Sequence, residues 1–164
     1  MATEIERKFL LTNEDWRAAA DGGRRFRQGY LVGSPAASVR VRIEGDEARL
    51  NIKSATLGIH RQEYEYAIPM ADAEEMLATL CEKPLVEKTR YLVAHGSHTW
   101  EIDVFEGDNA GLVVAEVELA SADEAVQLPP WAGREVSHLK RYYNVCLVQH
   151  PYSQWSADER SALD

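Results

Sequence analysis

The chain has 164 residues, 45% hydrophobic and 27% charged, a length and composition that suit one compact domain with its own core. A formal net charge of −9 and a pI near 5.1 oppose any general coating of nucleic acid or anionic membrane, so a polyanion partner must be recognised locally. Cys81 and Cys146 are far apart with no Cys-x-x-Cys spacing, and no stretch reads as a signal peptide or membrane span. The expectation is a cytoplasmic protein with reduced, structural thiols.

In chain order, short β-branched or alternating runs predict strands at 3–11, 23–32, 38–45, 47–55, 60–67, 85–94, 98–106 and 112–119. Turn residues separate several of them: Gly45-Asp46, the segment from His95 to His98, and Gly107-Asp108-Asn109 with Gly111 beyond. Tight antiparallel hairpins follow. The period changes at 13–20, at 70–81, where Met76, Leu77 and Leu80 share a side, and at 121–126, where Ser121 and Glu124 have capping-box spacing; these read as helices. After Pro129-Pro130, the segment 136–148 carries Leu139, Tyr142, Tyr143 and Leu147 and reads as a helix packed on the sheet. The stretch from Gln154 is polar and reads as loosely attached, giving one domain over 1–150 and a tail over 151–164.

Side chains alternate across a strand, so Glu4, Glu6 and Lys8 share one face of the first strand. The same parity puts Arg40 with Arg42, then Lys53, then Arg61 with Glu63 and Glu65, then Lys88 with Arg90, Glu101 with Asp103, and Glu116 with Glu118. On one strand this is an ordinary solvated face with surface ion pairs. Repeated over about eight strands, the number at which a barrel closes around side chains or one small ligand, it predicts a charged interior. Buried charges need partners, and a metal-bound triphosphate would satisfy both signs: carboxylates suit magnesium or manganese, while Lys and Arg suit phosphate oxygens. The expected fold is mainly β (α+β), a closed eight-stranded antiparallel barrel with flanking helices.

The opening Glu4-Ile5-Glu6-Arg7-Lys8 resembles the ExExK signature of the CYTH superfamily, the triphosphate tunnel metalloenzymes. The resemblance continues through QGYL ending at Leu31, VRVR ending at Arg42, IK at Lys53, RQEYEY from Arg61, VEKTRY from Val86, EIDVFEG from Glu101, AEVEL from Ala115 and REVSHLKRYYN from Arg134. It is strongest to the short bacterial branch that hydrolyses inorganic tripolyphosphate. The resemblance implies that Glu4, Glu6, Asp103, Glu116 and Glu118 hold Mg2+ or Mn2+ and that Lys8, Arg40, Arg42, Lys53 and Arg90 grip phosphates. Tyr30 and Lys88 match the positions thought to activate water. Arg61, Glu63 and Glu65 are weaker assignments, the two glutamates being either metal ligands through water or orienting groups for the basic residues.

Thiamine triphosphatase and an adenylate cyclase of the related class are the competing enzymes, although no adenine pocket is evident. From another class, a polyphosphate-binding module without turnover and a purely structural barrel remain to be weighed. The expected partner is a small-molecule triphosphate, with no nucleic acid and no membrane, and a homodimer left open. Histidines 60, 95, 98, 138 and 150 give no convincing zinc spacing, and Walker-type and Gly-x-Ser-x-Gly loops are missing.

Overall fold

The computed structural model describes residues 2–55 and 58–162. Among the described residues nine strands run β1 (Ala2–Leu11), β2 (Arg24–Gly33), β3 (Ala37–Glu44), β4 (Glu47–Ser54), β5 (His60–Ala67), β6 (Val86–His95), β7 (His98–Phe105), β8 (Val113–Glu118) and β9 (Ala132–Glu135). The first eight form the sheet β5-β4-β3-β2-β6-β7-β8-β1, all pairs antiparallel, and β1–β5 pairing closes it into a barrel. The eight predicted strands are present within one or two residues of their predicted ends.

Local chemistry explains the hairpins. Between β3 and β4 only Gly45 and Asp46 remain unpaired, and Gly45 takes a φ of 60° that a residue with a Cβ rarely adopts. Gly96, also at a φ of 60°, does the same between the paired His95 and His98. Strand β1 serves two partners along one edge: its first half pairs with β5, and beyond that Phe9 and Leu11 pair with β9. The ninth strand was not predicted, since four residues with a central Gly133 and Arg134 carry too little periodicity to register.

Because the lumen is polar, the apolar cores lie mostly outside the barrel wall. Phe9, Trp100, Ile102, Val117 and Trp131 form one core with Trp16, which the 3-10 turn Asp15–Ala19 supplies. Helix α1 (Met70–Thr79) lays Ala73 and Leu77 against Val41, Ile43 and Ala48. The third core closes one barrel end. There Val86, Phe105 and Val114 continue the inward rows of Lys88, Asp103 and Glu116, and meet Val136, Leu139, Tyr142, Leu147 and Val148 from the C-terminal segment. An apolar stopper thus seals the lumen at that end.

The helical expectations need correction. Residues 13–20 hold only that 3-10 turn, α1 ends two residues early, and 121–126 is a turn. There Glu124 does reach back, its Oε1 accepting from Ala120 N, but its other oxygen pairs with His98 and no apolar periodicity carries a helix forward. The predicted helix 136–148 is instead a link beyond β9, a 3-10 turn Lys140–Tyr142 and the short α2 (Asn144–Gln149). Val136 N still donates to Lys8 O, so this chain enters as an extended strap rather than a helix. The tail is also docked: Trp155 is 5% exposed against Tyr142 and Tyr152, and Tyr152 N donates to the buried Asn109 Oδ1. Helix α3 (Ala157–Arg160) closes it with a Ser156–Glu159 capping box; residues 163–164 of the predicted tail lie outside the described residues.

Candidate active site

The barrel interior holds a cavity of about 200 Å3. Seven cations, Lys8, Arg40, Arg42, Lys53, Arg61, Lys88 and Arg90, border it, and so do seven carboxylates, Glu4, Glu6, Glu63, Glu65, Glu101, Glu116 and Glu118. Strand alternation alone accounts for this. Each of these side chains stands at the inward parity of its strand, so the antiparallel register delivers them all to one volume. Tyr30 joins them from β2. Every predicted site residue borders the cavity except Asp103.

Asp103 is fully buried beneath the lining, with Lys88 Nζ at 2.7 Å from Oδ2 and Arg90 donating to both oxygens at 2.7 and 2.9 Å. Its geometry is that of an anchor for two cations, and it lies behind the lining rather than facing the lumen as the sequence reading expected. Glu101 stands where Asp103 was expected, bordering the cavity and accepting from Arg90 at 2.6 Å.

The remaining charges pair across the lumen. Lys53 Nζ lies 2.9 Å from Glu4 and 3.6 Å from Glu63, Lys8 Nζ 3.3 Å from Glu116, and Arg42 3.1 Å from Glu65. Asn51 donates to Glu63 at 3.1 Å, so Glu63 faces both Asn51 and Lys53, and Glu65 faces Arg42. Arg40 is different: it makes no ion pair among the described residues, its Nε is buried without an acceptor, and so is the Nε of Arg42. The Tyr30 hydroxyl lies against Arg40, which helps hold that guanidinium charged despite burial. No hydrogen bond joins Tyr30 to Lys88 among the described residues.

Burial and crowding set the protonation states. Burial first, and then the charge of Glu116, push Glu6 up to about 8. Glu116 goes the other way, because Lys8 and Arg90 outweigh its burial and hold it well below the carboxylate range. Burial brings Lys88 down to about 8; Asp103 opposes this and Arg90 adds to it. Glu6 therefore keeps its proton at neutral pH beside the ionised Glu116.

Several contributing residues escaped the sequence reading. Phe26 sits under three cations, with Arg90, Arg42 and Lys88 at 4.9, 5.1 and 5.7 Å from its ring. Its parity with Tyr30 was the available signal. Tyr143 faces Arg61 at 4.0 Å and Lys8 at 5.4 Å, and neither it nor Asn144 could be placed by a sequence pattern read as one helix.

A closed antiparallel barrel whose lumen carries balanced lysines, arginines and glutamates, with unsatisfied guanidinium donors, belongs to the class of barrels that take up a polyanion with cations. The chain is a member of the CYTH domain family, whose profile matches residues 2–148. It is 44% identical to the inorganic triphosphatase of Acetivibrio thermocellus over 155 residues, covering 94% of this chain and 99% of that protein. The inorganic triphosphatase of Nitrosomonas europaea is 42% identical over 152 residues, covering 89% and 97%. A solved inorganic triphosphatase structure superposes with a TM-score of 0.64 at 39% identity, over 90% of this chain and 95% of the other.

Proposed function

We propose that this protein hydrolyses inorganic tripolyphosphate to pyrophosphate and phosphate with a divalent cation. The observation that carries the reading is the lumen itself: seven cations, unpartnered Nε donors on Arg40 and Arg42, and little apolar surface. Among the described residues Tyr30, Tyr143 and Val145 are its only aromatic or aliphatic lining, and Arg61 and Lys8 already lie over the Tyr143 ring. Among the described residues only the Tyr30 ring, beside Arg40, is left for a nucleobase, which favours an inorganic chain over ATP and disfavours the cyclase alternative.

The chain's own groups perform most of the reaction. Arg40, Arg42, Lys53, Arg90 and Lys8 hold the phosphate oxygens and neutralise charge as it moves toward the bridging oxygen. Water attacks the terminal phosphorus, the P–O bond to the bridge breaks, and the bridging oxygen leaves on pyrophosphate. Lys88, with its depressed pKa and fixed by Asp103, takes the proton that water loses. Tyr30, beside Arg40, helps orient the attacked group.

The donor set fits a hard divalent ion in a particular way. Among the described residues no three carboxylate, histidine or cysteine groups converge as a ready cage. Glu4, Glu6, Glu116 and Glu118 offer oxygens only, so magnesium or manganese would be held by a few carboxylates together with waters and substrate phosphates. The bound ion supplies further neutralisation of phosphoryl charge.

The test is phosphate release from tripolyphosphate, ATP, thiamine triphosphate and pyrophosphate, with magnesium or manganese, beside Glu4→Ala. Metal-dependent turnover of tripolyphosphate that the variant loses supports the reading. Cyclic AMP from ATP, or tight binding of tripolyphosphate without turnover, overturns it in favour of a cyclase or a binding module.

A further inference from the structure

The C-terminal strap delivers to the lumen one polar side chain that none of these roles uses. Asn144, the first residue of α2, borders the cavity. Its Oδ1 accepts from Lys88 Nζ at 3.0 Å and from Gln28 Nε2 at 2.7 Å. With Lys88 protonated the orientation is fixed: an ammonium can only donate, so the Asn144 atom facing it must be oxygen, and the Gln28 atom facing that oxygen must be nitrogen.

Two consequences follow from that chain of donors. Gln28 is fully buried and its Oε1 is left without a hydrogen-bond partner. Asn144, having committed its oxygen twice, keeps both N–H donors of Nδ2, and no described residue accepts from them. The neighbouring Tyr143 makes the placement rigid, since its hydroxyl accepts from Gly58 N at 3.1 Å and donates to Ser137 O at 2.8 Å. The unsatisfied Gln28 carbonyl is an acceptor and offers an anion nothing, but an amide held rigidly with free donors at a cation-lined cavity is suited to serve an anion.

We propose that Asn144 is a substrate-binding residue, whose Nδ2 donates to a phosphate oxygen at the stoppered end of the lumen while its Oδ1 fixes Lys88 beside that oxygen. The inference rests on the triphosphatase reading and extends it to the C-terminal strap. The strap is then part of the binding site as well as its stopper.

The experiment uses the full chain and its Asn144→Ala, Asn144→Ser and Asn144→Asp variants. Tripolyphosphate affinity is measured calorimetrically in EDTA, KM and kcat with magnesium, and melting temperature throughout. Asn144→Asp keeps an oxygen toward Lys88 and Gln28 but turns a second, anionic oxygen toward the phosphate. It should weaken tripolyphosphate binding at least about tenfold, and more than Asn144→Ala does. If Asn144 only positions Lys88, the aspartate variant will bind like the parent while the alanine variant loses kcat at unchanged KM, and the proposal falls. Should the alanine variant melt too low to assay, the serine and near-isosteric aspartate variants decide between the same outcomes. A parent protein that neither binds nor hydrolyses tripolyphosphate refutes the functional reading itself, whereas an active parent with an unaffected aspartate variant refutes only the role of Asn144.

Discussion

Lys88 and Asp103 form a fully buried ion pair, Nζ to Oδ2 at 2.7 Å with side chains 2% and 1% exposed, and Arg90 shares the same carboxylate. Removing the charge of Asp103 leaves Lys88 with no carboxylate in ion-pair contact among the described residues and Arg90 dependent on Glu101 and Glu116. Asp103→Asn should therefore cost about 3–5 kcal/mol of stability by denaturant melting. Its Mn2+ affinity should stay near that of the parent, whereas Glu6→Gln lowers it. An equal loss in both variants would return Asp103 to the metal-binding set.

Glu6 gives the metal-free protein a pH dependence of known sign. Its folded pKa is raised from 4.5 to about 8, so its contribution to stability is fully present below 4.5 and is lost as pH rises to about 8. Glu6→Gln should match the parent near pH 4.5 and exceed it above pH 8, by on the order of 1–3 kcal/mol given a screened, coupled site. Chemical melts across pH in EDTA test this, and parallel curves for the two proteins would refute it.

The same pH region should show in kinetics through a different group. With metal saturating, kcat should rise as pH climbs through about 8, because Lys88 must lose its proton to accept one from water. Lys88→Arg stays protonated and should lose the limb together with on the order of a hundredfold in kcat. A rising limb that survives in this variant would assign it to another group.

Arg40 offers a cation with no ion-pair partner to strand among the described residues, only the Tyr30 hydroxyl. Arg40→Met should raise KM for tripolyphosphate at least about tenfold, yet leave the melting temperature unchanged or higher, since a buried unpaired charge is removed. A fall in stability with unaltered KM would make Arg40 structural.

Trp155 tests whether the tail belongs to the barrel. Buried against Tyr142 and Tyr152, it should cost about 3–5 kcal/mol when changed to alanine. Because Tyr142 O accepts from Lys8 Nζ at 3.2 Å, the loss should also weaken tripolyphosphate binding. A shift below 1 kcal/mol would restore the loosely attached tail of the sequence reading.

The walls of the barrel were legible in the sequence because strand alternation is local. Glu4, Glu6 and Lys8 must share a face whatever the rest of the chain does, and Arg40 with Arg42, or Glu116 with Glu118, obey the same rule. The helical expectations were less secure. Ser121 and Glu124 supply a cap without an apolar stripe behind it, and the apolar spacing over 136–148 was matched by a strap whose residues turn toward several partners.

The sequence alone thus determined which strand residues stand at inward positions, since that depends on parity along each strand. Only the tertiary structure decided how they divide the work. Asp103 and Glu101 share a parity, yet one lies buried beneath Lys88 and Arg90 while the other borders the cavity, Asp103 being one inward position nearer Phe105 of the apolar stopper. Asn144 reaches Lys88 across 56 positions of chain, a contact that no local pattern encodes because packing of the closing strap creates it.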